Sequence, residues 1–209
     1  MTSPKNIVRT MPWLGFLAIL FLSGCSSFFD SPESTAYQKA KYSPQSLQIE
    51  VEGNTAYVFG VLGSDLVDSL KDMVEAHPNV TDVMLVDVPG SLDQQATMEG
   101  ARLIRRLGLN THIAPTGYVL SGGVDLFLGG VNRTIGSGAG VGVHAWSDGT
   151  TTTAEELNMA DPVHAVYVNF YLEMGVPERF YWFSLDAAPA ERVYFLSPEE
   201  VYDFQLVTQ

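Results

Sequence analysis

The chain has 209 residues, 46% hydrophobic and only 17% charged, with 24 acids against 11 bases. That is enough for one domain with a substantial core. It excludes a disordered chain, because the net charge of −13 is carried on a sequence rich in apolar and aromatic residues. The acid excess also excludes nucleic acid or an anionic membrane surface as the main partner, since both need clustered Lys and Arg, and a lone cysteine, Cys25, excludes an internal disulfide framework or a multi-cysteine zinc site.

Residues 1–24 carry Lys5 and Arg9 and no acid, followed by the apolar run Trp13 to Leu22. Charge followed by a short apolar stretch is the pattern of a secretory signal. A bilayer-spanning helix needs about 20 residues, so the run is too short to span comfortably. It closes on Leu22-Ser23-Gly24-Cys25, which resembles the bacterial lipobox. The resemblance implies cleavage before Cys25, diacylglycerol on its thiol and acylation of the new N-terminus, anchoring the chain to a bacterial membrane. Several acyl chains hold far more firmly than one. The mature chain then has nine bases against 24 acids, a net −15. Ser26 after the lipidated cysteine resembles the class sorted to the outer membrane. Residues 25–45, rich in Ser, Pro, Tyr and Gln, read as a lipidated tether, and residues 46–209 as one α/β domain.

Within that domain, Leu47-Gln-Ile-Glu-Val51 alternates with period two, and Ala56 to Leu62 follows the turn residues Glu52-Gly53-Asn54, predicting a hairpin. Ser64 is positioned to cap a helix running to about His77. Val80 to Val88 is a nearly continuous apolar run suited to a parallel strand buried on both faces, ending at Pro89-Gly90-Ser91. A helix is predicted for about Leu92 to Leu107, stopped by Gly108. Thr111 to Pro115 reads as a short strand, Gly117 to Gly123 as a tight turn, and Val124 to Leu128 as a helix. Asn132 to Val143 is Gly-rich and extended, and Ser147 to Thr153 is a polar loop. Helices are predicted near Ala154 to Gly175 and Pro177 to Ala187. Arg192 to Leu196 reads as a strand before the capped turn Ser197-Pro198-Glu199-Glu200. Strand and helix alternate throughout, so the class is α/β with a mainly parallel sheet.

Ser121, in Leu120-Ser121-Gly122-Gly123, stands between a strand end and a helix start. Helix-N-terminal N–H groups there can stabilise an oxyanion, and Ser91 offers a second N–H from a parallel turn. The plain alternative for Ser121 is an N-cap. His144 ends Gly140-Val-Gly-Val-His, where a general base for a serine hydroxyl could project. His77, His112 and His164 read as surface or packed histidines. There is no metal-ligand spacing, no phosphate-loop Gly-Lys-Ser/Thr, no Gly-x-Gly-x-x-Gly and no Gly-x-Ser-x-Gly. The pattern calls for no metal and no cofactor.

In order, these segments resemble the ClpP/crotonase superfamily over roughly Leu47 to Thr208, and most closely small exported bacterial ClpP-like proteins. Val83-Met-Leu-Val-Asp-Val-Pro-Gly-Ser91 resembles the strand and turn that supply oxyanion-hole backbone. Glu99-Gly100 through Thr111 resembles the next helix and strand. Ser121-Gly-Gly-Val-Asp-Leu-Phe-Leu-Gly-Gly-x-x-Arg133 falls on the nucleophile and its helix, Gly142-Val-His144 on the base, and Phe195-Leu-Ser-Pro-Glu-Glu…Leu-Val-Thr208 on the closing element. The resemblance implies a lipid-anchored, peptidase-like serine hydrolase of the cell envelope, facing the periplasm. Its catalytic pair would be Ser121 and His144, with the Gly122 and Ser91 N–H groups as oxyanion hole, acting on a peptide or acyl substrate. It also implies a homo-oligomer. Departures point to the alternative, an impaired scaffold or binding lipoprotein. Val193 stands where the family carries its triad Asp, Ser91 replaces a glycine, Leu120 precedes the nucleophile, and Asp125 occupies a usually apolar helix position. Asp148, Asp161, Asp186 and Glu191 remain open as partners for His144. A Ser–Lys mechanism lacks a placed lysine, the mature chain holding only Lys39, Lys41 and Lys71. Acyl-CoA chemistry lacks a basic cluster for the phosphates. The aromatic segment Tyr167 to Phe183 fits helix packing, a substrate groove or an oligomer contact.

Overall fold

The structure, a computed structural model, describes residues 46–147 and 152–208. The predicted signal, tether and Cys25 lie outside the described residues, as does Asp148. A seven-stranded sheet runs in the order β1-β2-β3-β4-β6-β7, with β5 paired to the first half of β4. The strands are β1 (Gln48–Glu52), β2 (Thr55–Phe59), β3 (Asp82–Val88), β4 (Asn110–Leu120), β5 (Arg133–Ile135), β6 (Gly140–Val143) and β7 (Tyr194–Phe195). β1 and β7 are antiparallel edges and all other pairings are parallel. The α/β, mainly parallel architecture with an N-terminal hairpin is as the sequence predicts.

β3 explains why a parallel sheet needs apolar runs. Val83, Leu85 and Val88 enter the main core, whereas Val86 packs with Tyr57, Phe59 and Ala114 on the opposite face. The helices α1 (Leu66–Ala76), α2 (Gln94–Arg106) and α3 (Gly122–Phe127) follow β2, β3 and β4. In α2, Asp93 accepts from the Ala96 N–H at 2.9 Å, while Met98, Ala101 and Ile104 face the core. Gly108, at φ +71°, then ends the helix. The chain closes with α4 (Pro162–Glu173), α5 (Arg179–Ala187) and α6 (Pro198–Asp203), the last opened by a Ser197/Glu200 capping box.

Three local expectations differ. Asp65, not Ser64, is the N-terminal flanking residue of α1, and it makes no side-chain cap. The predicted strand and tight turn at 111–123 are instead one strand, β4, that turns only at Ser121. Thr116, at φ +60°, and Gly117 make a local excursion, so the register with β3 jumps from Leu85↔Ile113 to Asp87↔Tyr118. The helix expected from Ala154 is a 3₁₀ turn at Ala154–Glu156. α4 begins only at Pro162, where Asp161 caps the Val163 N–H.

Arg133 anchors the C-terminal tail. It is 4% exposed and donates to the carbonyls of Met174 at 3.0 Å, Gln205 at 3.0 Å and Leu206 at 2.7 Å. Burial, with Arg105 nearby, lowers its pKa to about 10. These bonds tie the end of α4 and the segment after α6 to the start of β5.

Candidate active site

The parallel register sets three strand ends side by side. Val88 lies opposite Val119, and Leu120 opposite Gly142, so the segments leaving β3, β4 and β6 emerge together. Ligands of open α/β sheets gather at such carboxyl ends. Ser121 and His144 line one cleft there.

Ser121 has φ +53° and ψ −126°, and its side chain makes no cap bond to α3. The N-cap reading therefore fails. An L-residue in this backbone region stores strain of about 1–3 kcal/mol, the kind that functional turns retain. Hydrogen bonds hold the turn: the Ser121 N–H donates to the Gly142 carbonyl at 2.9 Å, and its carbonyl accepts from Val124 at 2.8 Å.

The Pro89-Gly90-Ser91 turn lies against this elbow. Leu62 donates to the Gly90 carbonyl at 2.9 Å and accepts from the Leu92 N–H at 2.8 Å. Alternation along an extended chain turns the Ser91 N–H to the other side, away from Leu62. A Cβ on Gly122 would come 2.4 Å from Ser91 Cβ and 3.3 Å from Ser91 N. Only glycine permits this approach, which brings the start of α3 against the Ser91 amide. The Ser91 hydroxyl points elsewhere, bonding Thr97 Oγ1 at 2.7 Å and accepting from the Asp93 N–H at 3.1 Å.

His144 Nδ1 lies 2.7 Å from the Ala145 carbonyl oxygen. A carbonyl only accepts, so Nδ1 carries a proton, and in the neutral ring Nε2 is the nitrogen with the lone pair. No carboxylate bonds His144 among the described residues. Asp161 is occupied capping α4, and Asp186 and Glu191 are exposed. The β6–β7 register, Gly142↔Phe195 and Val143↔Tyr194, carried one step further sets Val193 opposite His144. No hydrogen bond joins Ser121 Oγ to His144; the two share the cleft without touching through a proton.

Asp125 emerges as part of the site. It is 5% exposed, lines the same cleft, and accepts from Gln94 Nε2 at 2.6 Å and from the Tyr171 hydroxyl at 2.8 Å. Burial raises its pKa to about 6, against those two hydrogen bonds, which favour the carboxylate. Burial and the Asp125 charge push the Tyr171 hydroxyl well above its usual range. The signal for it in the sequence is an acid at a usually apolar helix position. Gln94 and Tyr171 carried no such mark.

The aromatic segment does both core and cleft work. Tyr167 stacks on Trp146 at 5.5 Å and on Tyr181 at 5.3 Å, and all three rings line the cleft. Phe170 sits in the core. His164 is packed, 3% exposed, with Nδ1 2.6 Å from the Tyr181 hydroxyl. His112 sits far from the site, at the first turns of the strands. It bridges Asp82 at 2.9 Å and Thr134 at 2.7 Å. Asp82 also accepts from Asn54, Thr81 and Asn110, so this His–Asp pair laces β3, β4 and β5 together.

No protein-family model matches the chain, and no curated protein matches it. Among solved structures, the chain is similar to the membrane-bound stomatin-specific protease 1510-N in complex with a substrate peptide, at 16% identity, covering 76% of this chain and 75% of that one, TM-score 0.47. It is also similar to an enoyl-CoA hydratase from Mycobacterium marinum at 14% identity, covering 77% and 75%, TM-score 0.49. A third similar structure is an enoyl-CoA hydratase from Polaromonas, at 13% identity, covering 77% and 68%, TM-score 0.47.

Proposed function

We propose that this chain is a lipid-anchored serine hydrolase of the ClpP/crotonase type, peptidase-like, held by Cys25 to a bacterial membrane. Its place is the cell envelope, at the outer membrane and facing the periplasm. The observation that carries the catalytic half is the backbone of Ser121: a serine at φ +53°, on a strand-to-helix elbow, sharing a cleft with a histidine whose Nε2 is free to accept.

The steps follow from these groups. Ser121 Oγ attacks an acyl carbonyl while His144 Nε2 takes its proton, and the Gly122 and Ser91 N–H groups hold the resulting oxyanion. His144 returns the proton to the leaving group, and water, deprotonated by His144, then releases the acyl chain. The Ser121–His144 hydrogen bond closes when substrate enters, as such bonds tighten on going from the free enzyme to the complex. The Ala145 carbonyl fixes the imidazole tautomer, the task a carboxylate performs in a full triad. No metal or cofactor is called for.

The test is hydrolysis of activated acyl esters by the full-length protein in detergent. Ser121→Ala and His144→Ala should each lower kcat/KM by about 10³-fold or more with unchanged folding by circular dichroism. Equal rates in wild type and Ser121→Ala would reject the mechanism.

A second reading is a scaffold or binding lipoprotein on the same fold. Val193 opposite His144 and the lack of a Ser121–His144 hydrogen bond favour it. It predicts that Ser121→Ala leaves the cellular phenotype of the gene intact.

A further inference from the structure

Resting on the hydrolase reading, we infer that the cleft beside Ser121 selects a substrate carrying a primary ammonium group on an unbranched chain, with Asp125 as its counter-ion. Asp125 is a buried carboxylate with no cation: no Lys, Arg or His bonds it among the described residues, and its partners are an amide and a phenol. Burying a charge without an opposite charge is costly, and an acid kept for structure alone is more cheaply replaced by an amide or hydroxyl. Gln94 and Tyr171 fill two of its roughly four acceptor positions. The others are open in a residue that lines the cleft.

The neighbouring groups suit an ammonium. Ser184 also lines the cleft, and its hydroxyl donates to the Tyr181 carbonyl at 2.7 Å, leaving its lone pairs to accept. The Tyr167 hydroxyl, on the same wall, bonds no group among the described residues. The cleft thus holds three acceptors, one of them charged, as many as the N–H donors of an ammonium. The apolar lining, Val124, Val143 and the stacked rings, suits an alkyl stem. The chain's net charge of −13 draws cations toward it.

Two measurements on the full-length protein separate this inference from the hydrolase reading. The first needs no turnover: calorimetric titration with n-pentylammonium and with n-pentanol. The ammonium should bind at least about tenfold tighter, and Asp125→Asn should remove the difference. Equal binding of the two compounds, or a difference that survives Asp125→Asn, overturns the inference. The second compares N-acetyl-lysine and N-acetyl-norleucine aryl esters, nearly equal in shape. The lysine ester should show a kcat/KM at least about 30-fold higher. Turnover of both esters at the same rate overturns the inference while keeping the hydrolase. Ammonium binding without turnover of either ester keeps the inference about the cleft and rejects the hydrolase.

Discussion

Ser121 sits where a glycine would be unstrained, and the strain of about 1–3 kcal/mol is supported by the hydrogen bonds from β6 and α3 around it. A serine between a strand and a helix was legible as a candidate, since Ser121-Gly122-Gly123 reads as a tight turn. Its φ was not legible, and that angle is what distinguishes elbow from cap. The Ala145 carbonyl as partner of His144 was not legible either, because a backbone acceptor has no residue type. Asp125 gives the prediction at this scale. Its folded pKa, about 6, lies above the ordinary 3.8, so the folded state binds more protons and stability falls as pH rises between those values. The deficit is complete about one unit above the folded pKa and corresponds to roughly 3 kcal/mol. Asp125→Asn should therefore raise the melting temperature at pH 8 by roughly 5–10 °C and leave it nearly unchanged at pH 4. A lower melting temperature at pH 8 would show that the charge stabilises the fold.

Among elements, β6 and β7 decide how His144 is held. β7 has only two residues, both exposed, and it pairs antiparallel with β6 so that Val193 follows in register opposite His144. Gly142 makes the pairing close: a Cβ there would come 2.4 Å from Val193 Cγ1. Val193→Asp should place a carboxylate beside the imidazole, where it competes with the Ala145 carbonyl for Nδ1–H. Ester hydrolysis should rise by about tenfold, since a charged acceptor stabilises the imidazolium better than a neutral one. An unchanged rate in a folded Val193→Asp protein would put His144 outside the proton path. The hairpin, β3 and α2 were legible because alternation, apolar runs and caps are local signals. β4 was read as two pieces because Pro115 and Gly117 mimic a turn, while the pairing that joins them is held by β3 and β6, far away in sequence.

At the scale of the molecule, the proposed lipid on Cys25 rests on the sequence pattern and on charge: with 24 acids against 11 bases the chain would be repelled by an anionic membrane, so the proposed attachment is through lipid. The mature protein should gain the mass of a diacylglyceryl group and an N-terminal acyl chain. Cys25→Ala should leave an uncleaved precursor that incorporates no labelled palmitate. Unchanged incorporation in Cys25→Ala would remove the anchor. The mainly parallel sheet and the gathering of strand ends follow from alternating strands and helices, and that much was legible from the pattern, whereas the strand order was not. The cleft wall was not, because Trp146, Tyr167 and Tyr181 come from three separate segments that meet only in the fold. The most direct test of Ser121 as nucleophile is mass spectrometry of the intact, folded protein after reaction with a fluorophosphonate. One adduct per chain, mapped to Ser121 and slowed strongly by His144→Ala, is the predicted result. A folded protein that takes up no adduct, or takes it up on another residue, would contradict it.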